Sequence, residues 1–385
     1  MNEKWQSKYI EGGSEMSRIM DLVIETTKEY VPYVIGLSGL GGRICYSSDS
    51  VDEIITNDKR LSNGNELINY LKRLITKGHL SIFEHSVLRI DKKEFTKRLM
   101  DALTLHQLLL EISPEIKFLF DTIGYDDLSQ KFPVFRPDKE LEGFYVGGVL
   151  ALKRQFHILP YTNNAIYINM RHILEYKHKQ LGSWDKVGEW FVDRYRDVIN
   201  DSYTISTLQP LFIKEINNGQ GRLTIFRLYN DGDKVVGATF VLEGVSRILT
   251  HQLVRHRLFS SYSQRSHRYT KINGLYEFVY PPLDYIKLKT IQTKLKSEFE
   301  DAYKTTLDKY EKLVGGIENK KGEVFKVRKE DARFIIPNGV KTTIMVTMLV
   351  DGFYNFLHER TTTHAQWEIR EVAKILDGIS KGEVV

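Results

Sequence analysis

The chain has 385 residues, enough for one large domain or two smaller ones around a substantial core. Its 42% hydrophobic and 27% charged residues are an ordinary globular balance. A net charge of +5, diluted by 50 acidic residues, excludes a molecule-wide nucleic-acid footprint, so an anionic partner must be held by local clusters. The single cysteine, Cys45, excludes an intramolecular disulfide framework or a multi-cysteine metal site and fits a reducing cytosol. The first twenty residues are charged and show no secretory h-region, and no uncharged apolar run approaches membrane-span length. The expectation is a soluble, cytoplasmic protein with no membrane partner.

In chain order, residues 1–13 are a loose lead-in, and Ser14 to Tyr30 has the apolar spacing of an amphipathic helix. The glycines of Val34 to Tyr46 do not match a strand followed by Gly-x-Gly-x-x-Gly, so close packing of a glycine-rich helix or turn is expected. Asn65 to Lys77 places Leu67, Ile68, Leu71, Leu74 and Ile75 on one helical face, and Gly78 is the stop. After it come His79, Ser81, Glu84 and His85, then a strand from Ser86 to Ile90.

Residues 93–232 differ in character, with helices over Glu94 to Leu110, Tyr167 to Lys179 and Trp184 to Ile199, the second of uncertain start. Asn217 to Gly221 and Asp231 to Asp233 are turn clusters. Lys234 to Leu242 alternates as a strand. Glu243 to Ser246 then leads into a helix whose stripe is Val245, Ile248, Leu249 and Leu253, and this helix sets Gln252, Arg255 and His256 on one side.

The basic stretch from Arg255 to Tyr269 is the end of that helix and the loop it feeds. It holds four arginines and two histidines among three aromatics and four serines. Such a density of guanidinium groups repels itself unless an anion sits among them, and arginine's fork suits phosphates and stacks on flat rings. One or two phosphorylated aromatic ligands and a solvated basic loop are the two readings. Downstream, Glu277 to Tyr280 reads as a short strand, Ile286 to Val314 as a long charged helix, and Lys329 to Ile336 as helical until Pro337. Thr342 to Val350 is a strand, and Asp351 to Arg360 with Thr363 to Leu376 reads as one kinked helix or two. Irregular alternation of helices and strands makes the fold α+β. No internal repeat is visible; the echo between Asn169-Met170-Arg171-His172 and Tyr354-Asn355-Phe356 is too short to use.

His79, Glu84 and His85 could ligate a metal, bind a polar ligand at a helix end, or be structural. Their spacing fits neither His-Glu-x-x-His nor His-x-x-Glu-His, and no metal is assigned. None of Ser260, Ser261, Ser263 or Ser266 sits in a nucleophile motif, so hydrogen bonding to phosphate is the better role. Cys45 reads as a small buried side chain rather than a thiolate. Arg360, His364 and Glu368 fall at i+4 intervals, the pattern of an exposed salt-bridged helix.

Together these blocks resemble the flavin-dependent thymidylate synthases. The family's Arg-His-Arg, spacer and Ser-x-Arg signature reads here Arg255-His256-Arg257, eight residues, Ser266-His267-Arg268. Five further blocks follow the family order: Arg43 to Tyr46, Gly78 to His85, Glu243 to Arg247, Ala332 to Pro337 and Arg360 to Arg370.

The resemblance implies that fold, an antiparallel or mixed sheet with helices. It divides the chain into an N-terminal extension (1–35), a catalytic domain (36–92 and 234–385) and a large, mainly helical insertion (93–233). It implies reductive methylation of dUMP to dTMP with 5,10-methylenetetrahydrofolate, NADPH and bound FAD, in a homotetramer with active sites at subunit interfaces and no stable nucleic-acid partner. Gln252, Arg255, Gln264, Arg265, Ser266, Arg268, Arg333 and Arg360 are implied to hold dUMP. His79, Ser81, Glu84, Arg255, His256, Arg257, Asn355 and His364 are implied to contact FAD, with Arg360, Ser266 and His79 catalytic. The chain has no credible catalytic cysteine, which agrees with a flavin route. The eight-residue spacer, with Ser260 or Ser261 extra, leaves a modified pyrimidine nucleotide open as substrate. The second reading is a nucleotide or single-stranded nucleic-acid binder stacking on Tyr262 and Tyr269, which leaves the Arg333 and Arg360 blocks unexplained.

Overall fold

The structure is a computed structural model and describes residues 31–91, 162 and 164–383. The helices expected over Ser14 to Tyr30 and Glu94 to Leu110 lie outside them. In chain order the described elements are α1 (Val31–Tyr46), α2 (Val51–Asn57), α3 (Gly64–Thr76), β1 (Val87–Asp91), β2 (Ala165–Asn169), α4 (Met170–Leu181) and α5 (Trp184–Ser202). There follow β3 (Phe212–Ile216), β4 (Gly221–Asp231), β5 (Lys234–Ser246), α6 (Arg247–Leu253), β6 (Ser260–Gln264), α7 (Lys289–Gly315), β7 (Ile317–Glu318) and β8 (Val324–Phe325). Last come α8 (Lys329–Ala332), β9 (Lys341–Leu349), α9 (Val350–Arg360) and α10 (Trp367–Ser380).

Five antiparallel strands in the order β3-β4-β5-β9-β6 form the central sheet. Side chains alternate along a strand, so β9 sends Met345 into one core and Ile344, Val346 and Met348 into the other. Because both faces are covered, its burial is continuous instead of alternating. One face packs against α1, α2, α3, α4, α5 and the 3-10 turn Ser81–His85. The other packs against α6, α9 and α10. A smaller core joins α7 to Phe278, Ala332 and Val340.

Local chemistry accounts for the element ends. Asn63 caps α3 by accepting from the amide of Glu66 at 3.1 Å, and Gly78 turns the chain away at φ 71. The glycine-rich segment is the helix α1, and its glycines are there for close approach. A Cβ at Gly39 would sit 2.6 Å from Leu67 Cδ1.

Several expectations change. The boundary at 233 does not appear in the fold, since β3 and β4 belong to the same sheet as β5 and β9. Likewise α4 and α5 are built into the core beside α1 and α3. Tyr167 lies in strand β2, paired with Arg89, and not in a helix. Leu275–Glu277 is a 3-10 turn, and of the expected strand there Phe278 makes one bridge, to Val340. β3 and β4 escaped notice because β3 faces solvent over most of its length and β4 lacks clean alternation.

Candidate active site

β5 is interrupted by a bulge after Leu242, with Gly244 at φ 66, and this bend aims Ser246 at α6. Ser246 Oγ caps the helix by accepting from the Leu249 amide at 3.1 Å. α6 ends at Leu253, so Arg255 and His256 occupy the turn beyond it and not the helix face expected from their spacing. The Tyr262 hydroxyl from β6 reaches the carbonyls of Leu253 (2.9 Å) and His256. Gly352 of α9 lets this loop approach: a Cβ there would lie 1.8 Å from Leu258 O.

His256 is thereby buried, with its ring edge-on to Phe356 at 5.3 Å between centroids. Arg360 Nε donates to His256 Nε2 at 2.9 Å, and the Asn355 amide lies 3.4 Å from Nδ1. A guanidinium only donates, so Nε2 is the acceptor and the proton of the neutral ring sits on Nδ1. Burial first, and then the Arg360 charge, push the imidazole's affinity for a second proton down. Around this neutral ring, the Arg255 and Arg257 side chains are exposed and make no hydrogen bond or ion pair within the described residues. Asn355 is exposed, and Arg360 and Gln252 are half-buried.

A second cluster follows β6. Ser260 to Gln264 pair with successive residues of β9 and form no bulge. The irregular backbone is one residue earlier, at Phe259 with φ 47. Ser261 and Ser263 point into the interior, which removes them from phosphate binding. Gln264 Nε2 donates to Thr250 Oγ1 at 3.1 Å and to Thr342 Oγ1 at 3.3 Å. The Ser266 amide bonds to Cys45 O at 3.1 Å, docking the loop on the end of α1. Arg268 is exposed and paired with Glu330 at 3.1 Å. Arg265 points elsewhere: its Nη2 donates to Asp49 O at 2.6 Å, with the carboxylates of Glu243, Glu277 and Asp49 acting on it.

Two residues not singled out beforehand, His267 and Arg247, complete this cluster together with the expected Arg333. His267 is buried, and its pKa falls to about 4 through burial and then through the charges of Arg247, Arg265 and Arg333. Arg247 is half-buried with no side-chain partner among the described residues, and burial and Arg333 lower its pKa. Arg333 is half-buried and donates from Nε to Glu330 O at 3.2 Å. Arginines this close, around a neutral imidazole, are the arrangement an anion completes. The only sequence sign of Arg247 was its place before the signature helix.

The third group, His79, Ser81 and Glu84, sits after α3; His79 and Ser81 are exposed. Glu84 forms an ion pair with Arg171 of α4, a residue without sequence signal because it lies 87 positions away. His85 is fully buried, 3.0 Å from Thr347 Oγ1, with its pKa pushed down to about 3 by burial. Its role is structural. Among the described residues no cluster of three His, Cys, Asp or Glu is arranged for a metal.

Within one chain these groups are not all brought together. His79, Ser81 and Glu84 are carried on the sheet face covered by α1, α3 and α4, whereas His256, Asn355 and Arg360 are carried on the face covered by α6, α9 and α10. Nor do Arg360, His364 and Glu368 share a helix. α9 stops at Arg360, His364 is exposed in the connection, and Glu368 is wholly buried in α10. Glu368 accepts from the Ser246 amide (2.8 Å), the Ser246 hydroxyl and Asn217 Nδ2 (2.8 Å), so it anchors the bulge before α6.

Residues 234–381 match the family model described as thymidylate synthase complementing protein. The flavin-dependent thymidylate synthase of Sulfurisphaera tokodaii is 42% identical over 145 residues, 37% of this chain and 50% of that protein. That of Clostridium tetani is 39% identical over 145 residues, 36% of this chain and 55% of that protein. That of Pyrococcus horikoshii is 45% identical over 146 residues, 37% and 54% respectively. The chain thus spans about half the length of the curated relatives it matches. The resemblance carried by the signature is shown for residues 234–381.

Proposed function

We propose that the protein is a flavin-dependent thymidylate synthase, converting dUMP to dTMP with 5,10-methylenetetrahydrofolate, NADPH and FAD. One observation carries this reading. The matched segment holds the whole Arg-His-Arg to Ser-x-Arg signature with Arg333 and Arg360, and its arginines Arg247, Arg255 and Arg257 have no anionic partners among the described residues. Those free guanidinium groups suit a dinucleotide pyrophosphate and a nucleotide phosphate. Bound FAD would supply the hydride and replace the cysteine that pyrimidine activation otherwise needs.

In this reading Arg255, His256, Arg257 and Asn355 meet FAD on one chain, with His79, Ser81, Glu84 and His364. Gln252, Arg255, Gln264, Ser266, Arg268, Arg333 and Arg360 hold dUMP. Arg265, engaged by Asp49, shapes the loop instead. Arg360 polarises the uracil, and its Nε bond to the neutral His256 orients the guanidinium so that its remaining donors face the base. The separation of His79 and Arg360 across the sheet favours a site shared between copies in a homotetramer. The described residues contain no helix long and apolar enough to cross a membrane, in keeping with a cytoplasmic enzyme.

The test is direct. Purified protein should show a flavin absorption spectrum and release tritium from C5-labelled dUMP only with NADPH and the folate. Protein that stays colourless after incubation with FAD would end this reading.

A further inference from the structure

The small ladder β1·β2 is antiparallel like the central pair β5·β9, and aligning the ends of β2 and β9 sets their rungs side by side. Val87 pairs with Asn169 as Gly237 pairs with Leu349, and Asp91 pairs with Ala165 as Val241 pairs with Met345. The correspondence is a constant displacement of 150 positions in the first strand (87 to 237) and 180 in the second (169 to 349). In both units the second strand runs without a connecting residue into a helix: β2 into α4 at Met170, and β9 into α9 at Val350. At the same displacement of 180, the buried Ile173, Tyr176 and Lys177 of α4 match the buried Phe353, Phe356 and Leu357 of α9.

The next helix matches as well. Val187, Gly188, Phe191, Val192 and Tyr195 of α5 are buried, and so are Glu368, Ile369, Val372, Ala373 and Leu376 of α10, each 181 positions on (187 to 368, 195 to 376). One residue of difference falls in the connection between the helices. A strand pair, an uninterrupted strand-to-helix junction and two helices with matching buried positions are more than common packing rules require of two unrelated segments. The sequence did not display this repeat: the short echo sets Asn169 beside Asn355, whereas here Asn169 corresponds to Leu349.

The two units are in contact: Val87, Ala165 and Tyr167 share one apolar cluster with Val236 and Leu349.

We infer that residues 87–91 and 165–202 are a diverged second copy of the unit 237–241 and 345–380, packed on it as a built-in partner, and that each chain has one competent reaction centre. Arg360 corresponds to Gln180, which cannot supply a fixed positive charge. Residues 92–164, between β1 and β2, contain no Arg-His-Arg and no Ser-x-Arg. The unit at 165–202 has kept its strand, helices and apolar pattern and lacks a counterpart of Arg360.

The count of centres rests on the activity proposed above, and one experiment separates the two. The full chain is saturated with FAD, freed of unbound flavin, and its flavin measured against protein by absorbance. One flavin per chain is expected. Two per chain would overturn the lapsed unit while leaving the activity standing, and none would remove the activity and the competent unit together. Rates then separate the copies: Gln180→Ala should hold tritium release within about twofold, while Arg360→Ala, with flavin still bound, should lose about 100-fold or more. A comparable loss in both variants would overturn the inference.

Discussion

Arg360 donates from Nε to Nε2 of His256 across 2.9 Å, joining the last residue of α9 to a buried imidazole that follows α6. A protonated ring could not accept this bond, so the contact holds only while His256 is neutral. Burial and the Arg360 charge both keep it neutral near pH 7. We expect Arg360→Ala to lower turnover by about 100-fold or more, as loss of a preorganised donor does elsewhere. His256→Phe should lower kcat with little change in the thermal midpoint, because the ring space is kept while the bond orienting Arg360 is lost. Unchanged kcat in His256→Phe would show that the guanidinium needs no such orientation.

Gly352 is a steric requirement of the same site. A Cβ there would meet the carbonyl of Leu258 at 1.8 Å, and a backbone atom cannot give way cheaply. Gly352→Ala should cost about 1–3 kcal/mol or more by overpacking and shift the arginine loop. Denaturant titration together with flavin content measures both effects. Retention of full stability and full flavin binding would contradict the packing described.

Arg247 and Arg333 make a different prediction. Each lowers the local preference for positive charge, so removing one relieves repulsion in the ligand-free protein. Arg247→Met should leave the thermal midpoint unchanged or raised, and should raise KM for dUMP about tenfold, the scale of one lost charge-assisted bond. Added salt should weaken nucleotide binding less in this variant than in the parent. A KM equal to the parent's would place Arg247 outside the nucleotide site.

His85 and His267 fix how stability responds to acid. Their folded pKa values, about 3 and about 4, lie below the unfolded value near 6.5, so the unfolded chain takes up protons first as pH falls. Stability from these groups is complete above pH 6.5 and is lost as pH falls towards the folded values. Between pH 6.5 and 5 each should cost about 2 kcal/mol, at about 1.4 kcal/mol per pH unit. Urea titrations across that range should show the loss, and His267→Asn should make it shallower.

Glu368 carries the sharpest stability prediction. Its carboxylate accepts three bonds from Ser246 and Asn217 in a fully buried position. Burial pushes its pKa up while those donors pull it down. Glu368→Ala strands three donors and should cost about 3 kcal/mol or more, at roughly 1–3 kcal/mol per orphaned group. Glu368→Gln, which keeps an acceptor, should cost less. Equal stability of the Ala variant and the parent would show that the bulge before α6 needs no anchor.

Local chemistry was legible where a residue announces itself. Helix α3 with its Gly78 stop, strand β9, and the signature from Arg255 to Arg268 all follow from spacing, capping and residue type, which a linear chain displays. The same features named the residue types of an anion site without placing them. Only the tertiary structure decided that His256 lies under Arg360, that Ser261 and Ser263 face inward, and that Glu84 is held by Arg171 from a segment set aside as an insertion. Those relations depend on strand register and on which helix covers which face. Both are set by long-range pairing and core packing, which leave almost no mark on neighbours in sequence. The repeat is the clearest case: burial pattern and register survived in residues 165–202 while the side chains that would have revealed them were replaced.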